Sequence, residues 1–149
     1  MTGVQAVLLP VGSDLYAVPV DWVRQVMLAP PVTQLSTAPS LVLGLFNLRG
    51  EIVPLIDTAA LLGVGSIDVV AFAVVLHTSS GPAGLAATAV PGRISLEVPA
   101  AASELPGTTG TYFVDGRVVV LLDPGVLLMT ERLGGPQAQP GPVAVGEVA

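Results

Sequence analysis

The sequence predicts an all-β protein in which one small β unit occurs twice. Apolar runs rich in Val and Leu alternate with short clusters of Gly, Pro, Asp and Ser, which is typical of strands joined by turns. Two hairpin signals, Arg49-Gly50 and Asp115-Gly116, contain a Gly that can take the positive φ needed in a tight turn. Residues 50–57 and 116–123 share the positions of Gly, Asp and a following Leu-Leu pair at an offset of 66 residues. This register indicates an internal duplication.

The first copy is predicted to contain four strands and one short helix. The strands fall at residues 4–11, 15–20, 41–48 and 52–56. Residues 21–27 fit either a continued strand or a helical turn, and residues 29–39 form a predicted surface loop because three prolines interrupt the pattern. Pro54 cannot donate a ladder hydrogen bond, which favours an edge or a bulge there. Asp57 is predicted to cap a short helix that ends at Gly63.

The second copy repeats this plan after residue 65. Its strands are predicted at residues 69–77, 85–90, 93–98, 111–114 and 117–122. A turn is expected at residues 79–82 and a loop of small residues at 99–110. Asp123 is predicted to cap a final helical turn, with Pro124 at its first position.

These assignments predict one domain followed by a tail. The domain covers residues 1–133, with halves at about 1–65 and 66–133 between which strands are able to cross. Residues 134–149 are rich in Gly, Pro and small residues without periodicity, so we expect a flexible tail there. No apolar run approaches the roughly 20 residues of a membrane-spanning helix, and we expect no direct insertion into a membrane.

The composition excludes several classes of chemistry. The formal net charge is −6 and all five basic residues are Arg, so the sequence offers no basic cluster for nucleic acid. There is no Cys and no Lys, and His77 is the single histidine, which argues against zinc sites, thiolate nucleophiles and Schiff bases. We therefore expect no catalytic residue, no metal and no cofactor. The N-terminal residues resemble no signal peptide, which favours a cytoplasmic location.

Arg49 is the first candidate binding residue. A guanidinium presents five donors in a flat fork and suits the recognition of a carboxylate. A side chain at a hairpin tip has no role in the hydrophobic core. The second copy has Asp115 at the position of Arg49, whereas the other shared residues are kept. The difference between the copies points to Arg49 as a partner-binding residue. The residues common to both copies are predicted to be structural turns and caps: Gly50, Asp57, Gly116 and Asp123.

The stretch from Gly44 to Thr58, with Asn-Leu-Arg-Gly followed by Ile-Val-Pro-Leu-Ile-Asp, resembles the CheW-like family of chemotaxis adaptors. The similarity extends from about Val4 to Leu128 and includes weaker matches at residues 85–90 and 120–123. The resemblance implies a fold of two small SH3-like five-stranded β-barrels side by side, with short helical turns. It also implies a non-enzymatic adaptor in chemotaxis-like signal transduction.

The resemblance further implies particular partners and contacts. Members of the family that this chain resembles couple the cytoplasmic tips of methyl-accepting chemoreceptors to the regulatory domain of a CheA-type histidine kinase. By this similarity Arg49 would lie on the receptor-facing surface, and Val23, Leu48 and Val90 would line an apolar groove between the barrels. All four are candidate partner-binding residues.

Thr88 departs from the family pattern. Many members carry an acidic residue before the Val that corresponds to Val90, whereas this chain has Thr88-Ala89-Val90. Either the second barrel binds its partner differently, or the protein serves a divergent or accessory signalling system. A different class of function, a small-molecule-binding β-barrel, would require one wide barrel with an enclosed cavity, since two SH3-like barrels are too small to hold a ligand.

Overall fold

Ten strands and two short α-helices make up the described part of the fold. The structure is a computed structural model that describes residues 3–34, 41–102 and 106–128; the predicted tail at 134–149 lies outside the described residues. A single 3₁₀ turn, Val20–Trp22, precedes the third strand. The strands are β1 (Val4–Val11), β2 (Asp14–Pro19), β3 (Val23–Leu28), β4 (Val42–Leu48), β5 (Glu51–Ile56), β6 (Phe72–Thr78), β7 (Gly81–Ala87), β8 (Gly92–Leu96), β9 (Thr108–Val114) and β10 (Arg117–Leu122). The helices are α1 (Thr58–Leu61) and α2 (Pro124–Leu127).

The strands form two five-stranded sheets, each curled into a small barrel, and this confirms the predicted fold class. The first sheet has the order β8-β1-β2-β10-β9 and the second the order β3-β6-β7-β5-β4. Each sheet therefore takes strands from both halves of the sequence. Each sheet contains one parallel pair, β2·β10 in the first sheet and β5·β7 in the second. In each pair one strand comes from the first half of the sequence and the other from the second half. The boundary at about residue 65 separates the two copies of the repeat rather than the two sheets.

The duplication is visible in the backbone. An offset of 66 residues carries β4 onto β9, β5 onto β10 and α1 onto α2 with no shift in either boundary. The two hairpins turn in the same way: Arg49 and Gly50 have φ of 52° and 89°, and Asp115 and Gly116 have φ of 51° and 78°. Two successive positive φ values are the mark of the type I′ turn, whose twist matches that of the flanking strands.

The strands β1 and β2 are apolar on both faces because each face packs into a different cluster. Leu9 and Val18 belong to the larger cluster, which includes residues of both sheets, whereas Ala6 and Ala17 belong to a smaller cluster inside the first sheet. In β6, four consecutive residues from Ala73 to Leu76 are all fully buried. A strand that is covered on both sides loses the alternation of apolar and polar residues.

Several predicted boundaries were wrong, each for a local reason. Residues 21–27 begin with the 3₁₀ turn and continue as β3, so both alternatives hold in part. The strand predicted at 69–77 begins only at Phe72, and Val69 is 77% exposed. The strand predicted at 85–90 is β7 and ends at Ala87, because the N–H of Thr88 turns away to the carbonyl of Pro10 in β1. The turn before β7 is tighter than predicted and includes only Ser79 and Ser80.

Pro54 lies in an interior strand but at a point where that strand is unpaired on one side, so the predicted edge is present only locally. The strand β5 lies between β4 and β7, and Pro54 pairs with Leu45 of β4. Leu45 directs its own N–H and C=O to Thr33, at 2.9 and 2.8 Å, so no ladder bond from Pro54 to β4 is needed. On the other side, β5 pairs with β7 only from Leu55 onward. The missing N–H of proline therefore falls where neither neighbour requires it.

The two predicted helix caps differ in the structure. Asp57 is 4% exposed, and its side chain accepts hydrogen bonds from the backbone N–H groups of Ala60 and Ile67, both at 3.1 Å. This confirms the cap. Asp123 occupies the equivalent position before α2, but its side chain makes no capping hydrogen bond, so that prediction was wrong in its mechanism. Pro124 does stand in the first turn of α2, as predicted.

Candidate docking surface

Arg49 is exposed at the tip of the hairpin between β4 and β5. The strands pair up to Leu48 and Glu51, which leaves Arg49 and Gly50 as the two turn residues. The side-chain oxygen of Asn47 accepts a hydrogen bond of 3.0 Å from the N–H of Gly50 and stabilises the turn. Arg49 itself has φ of 52°, an unfavourable conformation for a residue with a side chain. The prediction of a hairpin with Arg49 at its tip is confirmed, with Glu51 already in the strand.

A salt bridge fixes the base of this hairpin. The Nη1 of Arg24 in β3 lies 2.6 Å from the Oε1 of Glu51, the first residue of β5. The two side chains are 25% and 48% exposed. Within the described ranges no ion pair of Arg49 is found, although Glu51 is only two residues away. The carboxylate nearest to Arg49 in sequence is thus bound by a different arginine.

An apolar groove lies beside the same end of the hairpin. Its volume is about 520 Å³. The cross-strand pair Asn47 and Ile52, the second pair from the turn, belongs to its lining, and Ile52 is 60% exposed. The connection between β3 and β4 supplies the opposite wall. The complete lining consists of Pro30, Pro31, Thr33, Leu45, Phe46, Asn47 and Ile52.

Glycine at position 44 lets that connection approach β4. A Cβ at Gly44 would lie 2.8 Å from the Cβ of Val32, which is closer than side-chain atoms normally come. The hydrogen bonds between Thr33 and Leu45 then add a short bridge to the outer edge of β4. An outer edge that is already paired is protected from non-specific strand association. The groove is therefore a built part of the fold and not a gap left by a displaced loop.

The structure places the three predicted apolar contact residues in different environments. Leu48 is 7% exposed and belongs to the larger core cluster. Val23 is partly buried and packs against the same cluster. Val90 is 68% exposed in the loop after β7 and belongs to neither cluster. Val23 and Leu48 are thus associated through the core, Val90 stands apart from them, and the part that each plays in partner binding stays a prediction.

Thr88 connects the two barrels. Its hydroxyl accepts a hydrogen bond of 2.9 Å from the N–H of Gly12, in the turn between β1 and β2, and donates one of 3.3 Å to the carbonyl of Pro10. The N–H of Thr88 donates to the same carbonyl at 2.9 Å. An acidic side chain at this position could accept from Gly12 but could not donate to Pro10 when ionised. The departure from the family pattern therefore has a local structural role.

Tyr16 lies at two smaller grooves, one on the first barrel and one between that barrel and the end of α1. One, of about 300 Å³, also has Asp14 and Arg117 in its lining, and the other, of about 220 Å³, has Leu62 and Pro106. Burial raises the pKa of the Tyr16 hydroxyl above its usual value, and the carboxylate of Asp14 adds to the increase.

In the described part of the chain no group of three or more His, Cys, Asp or Glu residues is arranged to hold a metal ion.

The sequence did not reveal the salt bridge or the groove. Arg24 and Glu51 are 27 residues apart, and nothing in their local patterns links them. Ile52 could have been found, because it is an apolar residue opposite the exposed Asn47 and adjacent to a hairpin tip.

The described helices include none that is long and apolar enough to cross a membrane.

The fold and this surface define a class of protein: a small all-β domain of two five-stranded barrels that share one core. Comparison with known proteins agrees with this description. A family model described as the CheW-like domain matches residues 5–132. The chain therefore belongs to the CheW-like domain family.

Individual relatives support the assignment. The chain is 28% identical over 131 residues to the chemotaxis protein CheW of Rhizobium meliloti (strain 1021), covering 81% of this chain and 84% of that protein. It also resembles the crystal structure of the scaffolding protein TtCheW from Thermoanaerobacter tengcongensis, with a TM-score of 0.72 and 21% sequence identity. That match covers 87% of this chain and 90% of the other. At this level of identity the structural match establishes the fold.

Proposed function

We propose that this protein is a non-enzymatic adaptor that couples chemoreceptors to a CheA-type histidine kinase in chemotaxis-like signal transduction. The observation that carries the proposal is the exposed guanidinium of Arg49 at a hairpin tip, beside an apolar groove of about 520 Å³, on a CheW-like domain. The names of the two relatives, a chemotaxis protein and a scaffolding protein, support it.

The surface suits a partner of mixed character. The Arg49 fork can bind a carboxylate with two parallel hydrogen bonds, which fixes the orientation of the partner. Burial of Ile52 and the neighbouring proline rings would supply apolar contact area, at roughly 25 cal/mol per Å² before the costs of association. A central arginine next to an apolar pocket is a common arrangement for the residues that dominate binding energy.

In this proposal the receptor is bound at its cytoplasmic tip and the kinase through its regulatory domain, so the adaptor works in the cytoplasm. Val90 is exposed enough for direct contact, whereas Leu48 and Val23 would act chiefly by supporting the hairpin and β3 from the core side. No catalytic step is assigned to the chain.

The test is binding of the purified protein to a histidine kinase regulatory domain and to a receptor cytoplasmic fragment, measured separately. Arg49→Glu should weaken binding to the receptor fragment at least tenfold, because it places a like charge opposite the partner carboxylate. Arg93→Glu is the matched control, since Arg93 is an exposed arginine on β8 of the other sheet. The proposal is wrong if the protein binds neither partner, and the assignment of Arg49 is wrong if both variants bind like the unmodified protein.

The alternative of a small-molecule-binding barrel has less support. It required a single wide barrel, whereas the described strands form two separate sheets of five. The grooves described above lie on the outer surface of these sheets, and the largest is lined by residues of a hairpin and a loop. An outward-facing groove suits a macromolecular partner better than an enclosed ligand.

A further inference from the structure

Arg24, Glu51 and Arg49 form a set of charges in which only one pairing is made. The Nη1 of Arg24 and the Oε1 of Glu51 are 2.6 Å apart. Arg49 precedes Glu51 by two residues, across Gly50, and is exposed. In the described ranges it makes no ion pair, so its guanidinium is available to a partner.

Chain geometry puts Glu51 within reach of Arg49 as well. Residues two positions apart are separated by at most about 7 Å between Cα atoms. The side chains of Arg and Glu are together long enough to cover that distance. The structure shows the carboxylate bound to Arg24 through its Oε1, on the side of β3, and within the described ranges Arg49 makes no ion pair with it.

We propose that Arg24 is a positioning residue that holds the carboxylate of Glu51 away from Arg49 and so keeps Arg49 free to bind an acidic residue of the partner. The inference rests on the proposed function, in which Arg49 contacts the partner. Without Arg24, Glu51 turns to Arg49 and competes with the partner carboxylate. Arg24 thus affects docking from a strand that does not belong to the hairpin.

The energies involved are of the right size for such competition. Arg24 and Glu51 are partly exposed, and pairs of this kind contribute only a small amount to stability. A second pairing of similar strength, between Glu51 and Arg49, is then populated as soon as the first is removed. Because the pairing between Glu51 and Arg49 must be broken on docking, loss of Arg24 lowers the affinity for the partner about two- to fivefold.

A purely structural role of the salt bridge makes a different prediction. If the pair served only to close the barrel, loss of either partner would have the same effect on binding, and loss of both would be no better than loss of one. If Arg24 keeps Glu51 from Arg49, loss of Glu51 alone is harmless. Removal of the carboxylate should then also correct the defect caused by loss of Arg24.

The first experiment needs no partner. Side-chain Nε–Hε resonances of the arginines are recorded by NMR, and the Arg49 signal is assigned by its absence in Arg49→Ala. In Arg24→Gln we expect the Arg49 signal to shift and its hydrogen exchange with water to slow, and in Arg24→Gln/Glu51→Gln we expect both to return to the original values. An Arg49 signal that is the same in all three proteins would overturn the proposal.

The second experiment measures affinity for the receptor fragment. Arg24→Gln should weaken binding about two- to fivefold, Arg24→Lys and Glu51→Gln should leave it unchanged, and Arg24→Gln/Glu51→Gln should restore it. Equal losses in Arg24→Gln and Glu51→Gln, or no recovery in the double variant, would contradict the proposal. If Arg49→Ala binds normally while the NMR changes occur, the proposed contact of Arg49 is wrong but its competition for Glu51 is not.

Discussion

Arg24 and Glu51 form a 2.6 Å salt bridge although β6 and β7 separate their strands in the sheet order. In a flat sheet, strands three positions apart lie roughly 14 Å from each other, since neighbours are about 4.8 Å apart. The contact exists because the sheet curls until β3 approaches the start of β5. Closure of the barrel therefore also fixes the base of the hairpin that carries Arg49, which links the fold directly to the candidate docking surface.

Arg49 is expected to lower the stability of the folded protein, although the same residue is expected to bind the receptor. Its φ of 52° is one that glycine adopts without cost, so Arg49→Gly should raise the free energy of unfolding by up to about 1 kcal/mol. The same variant should lose receptor binding. The measurement is chemical denaturation together with a binding assay.

The second hairpin provides the control for this prediction. Asp115→Gly changes a residue with φ of 51° at the equivalent position, but aspartate tolerates this conformation better, so the gain should be smaller. Receptor binding should remain normal. Destabilisation by Arg49→Gly would show instead that the arginine side chain supports the fold.

Asp57 is expected to matter far more for stability than Asp123. Asp57→Ala removes two hydrogen bonds from a carboxylate that is 4% exposed and leaves the N–H groups of Ala60 and Ile67 without their partner. We expect a loss of about 2–4 kcal/mol in the free energy of unfolding. Asp123→Ala removes no side-chain cap bond and should cost less than about 1 kcal/mol. Equal losses in thermal or chemical denaturation would mean that the second cap forms in solution.

The duplication explains why so much of the fold could be predicted from the sequence. Gly50 and Gly116 specify turns, and Asp57 specifies a cap, through rules that act over three or four residues, so the hairpins and α1 were located correctly. Asp123 shows the limit of this reasoning: the same residue at the same repeat position does not make the same hydrogen bond. A local pattern identifies a possible cap, but its neighbours decide whether the side chain is used.

The candidate site was only partly predictable because it depends on contacts between distant segments. Arg49 was found because a hairpin tip is a local feature. The partner of Glu51 was not, since it lies in a strand that reaches the hairpin only after the barrel has closed. The burial of Leu48 and the exposure of Val90 likewise follow from how the two sheets share one core, which strand patterns do not encode.

Thr88 is expected to hold the turn between β1 and β2 against the second barrel. Thr88→Val keeps the shape of the side chain but removes the hydroxyl that bonds to Gly12 and Pro10. We expect a loss of about 0.5–1.5 kcal/mol and faster hydrogen exchange of the Gly12 amide. Thr88→Ser retains both bonds and should behave like the original protein in the exchange measurement. Unchanged protection of Gly12 in Thr88→Val would show that these bonds are dispensable.

Tyr16 is expected to make stability fall at high pH. Its pKa is raised above the usual value near 10, first by burial and second by the carboxylate of Asp14, so the folded state favours the neutral phenol. Above about pH 10 the unfolded chain releases this proton before the folded chain does. The unfolded state then binds fewer protons, and the free energy of unfolding decreases with pH until the folded pKa is passed. Tyr16→Phe should reduce this decrease, and the tyrosinate absorbance that it removes should titrate at higher pH than a free tyrosine. Asp14→Asn should lower the pKa of Tyr16 only in part, because burial is the larger cause; a return to the usual value in Asp14→Asn would mean that the carboxylate dominates.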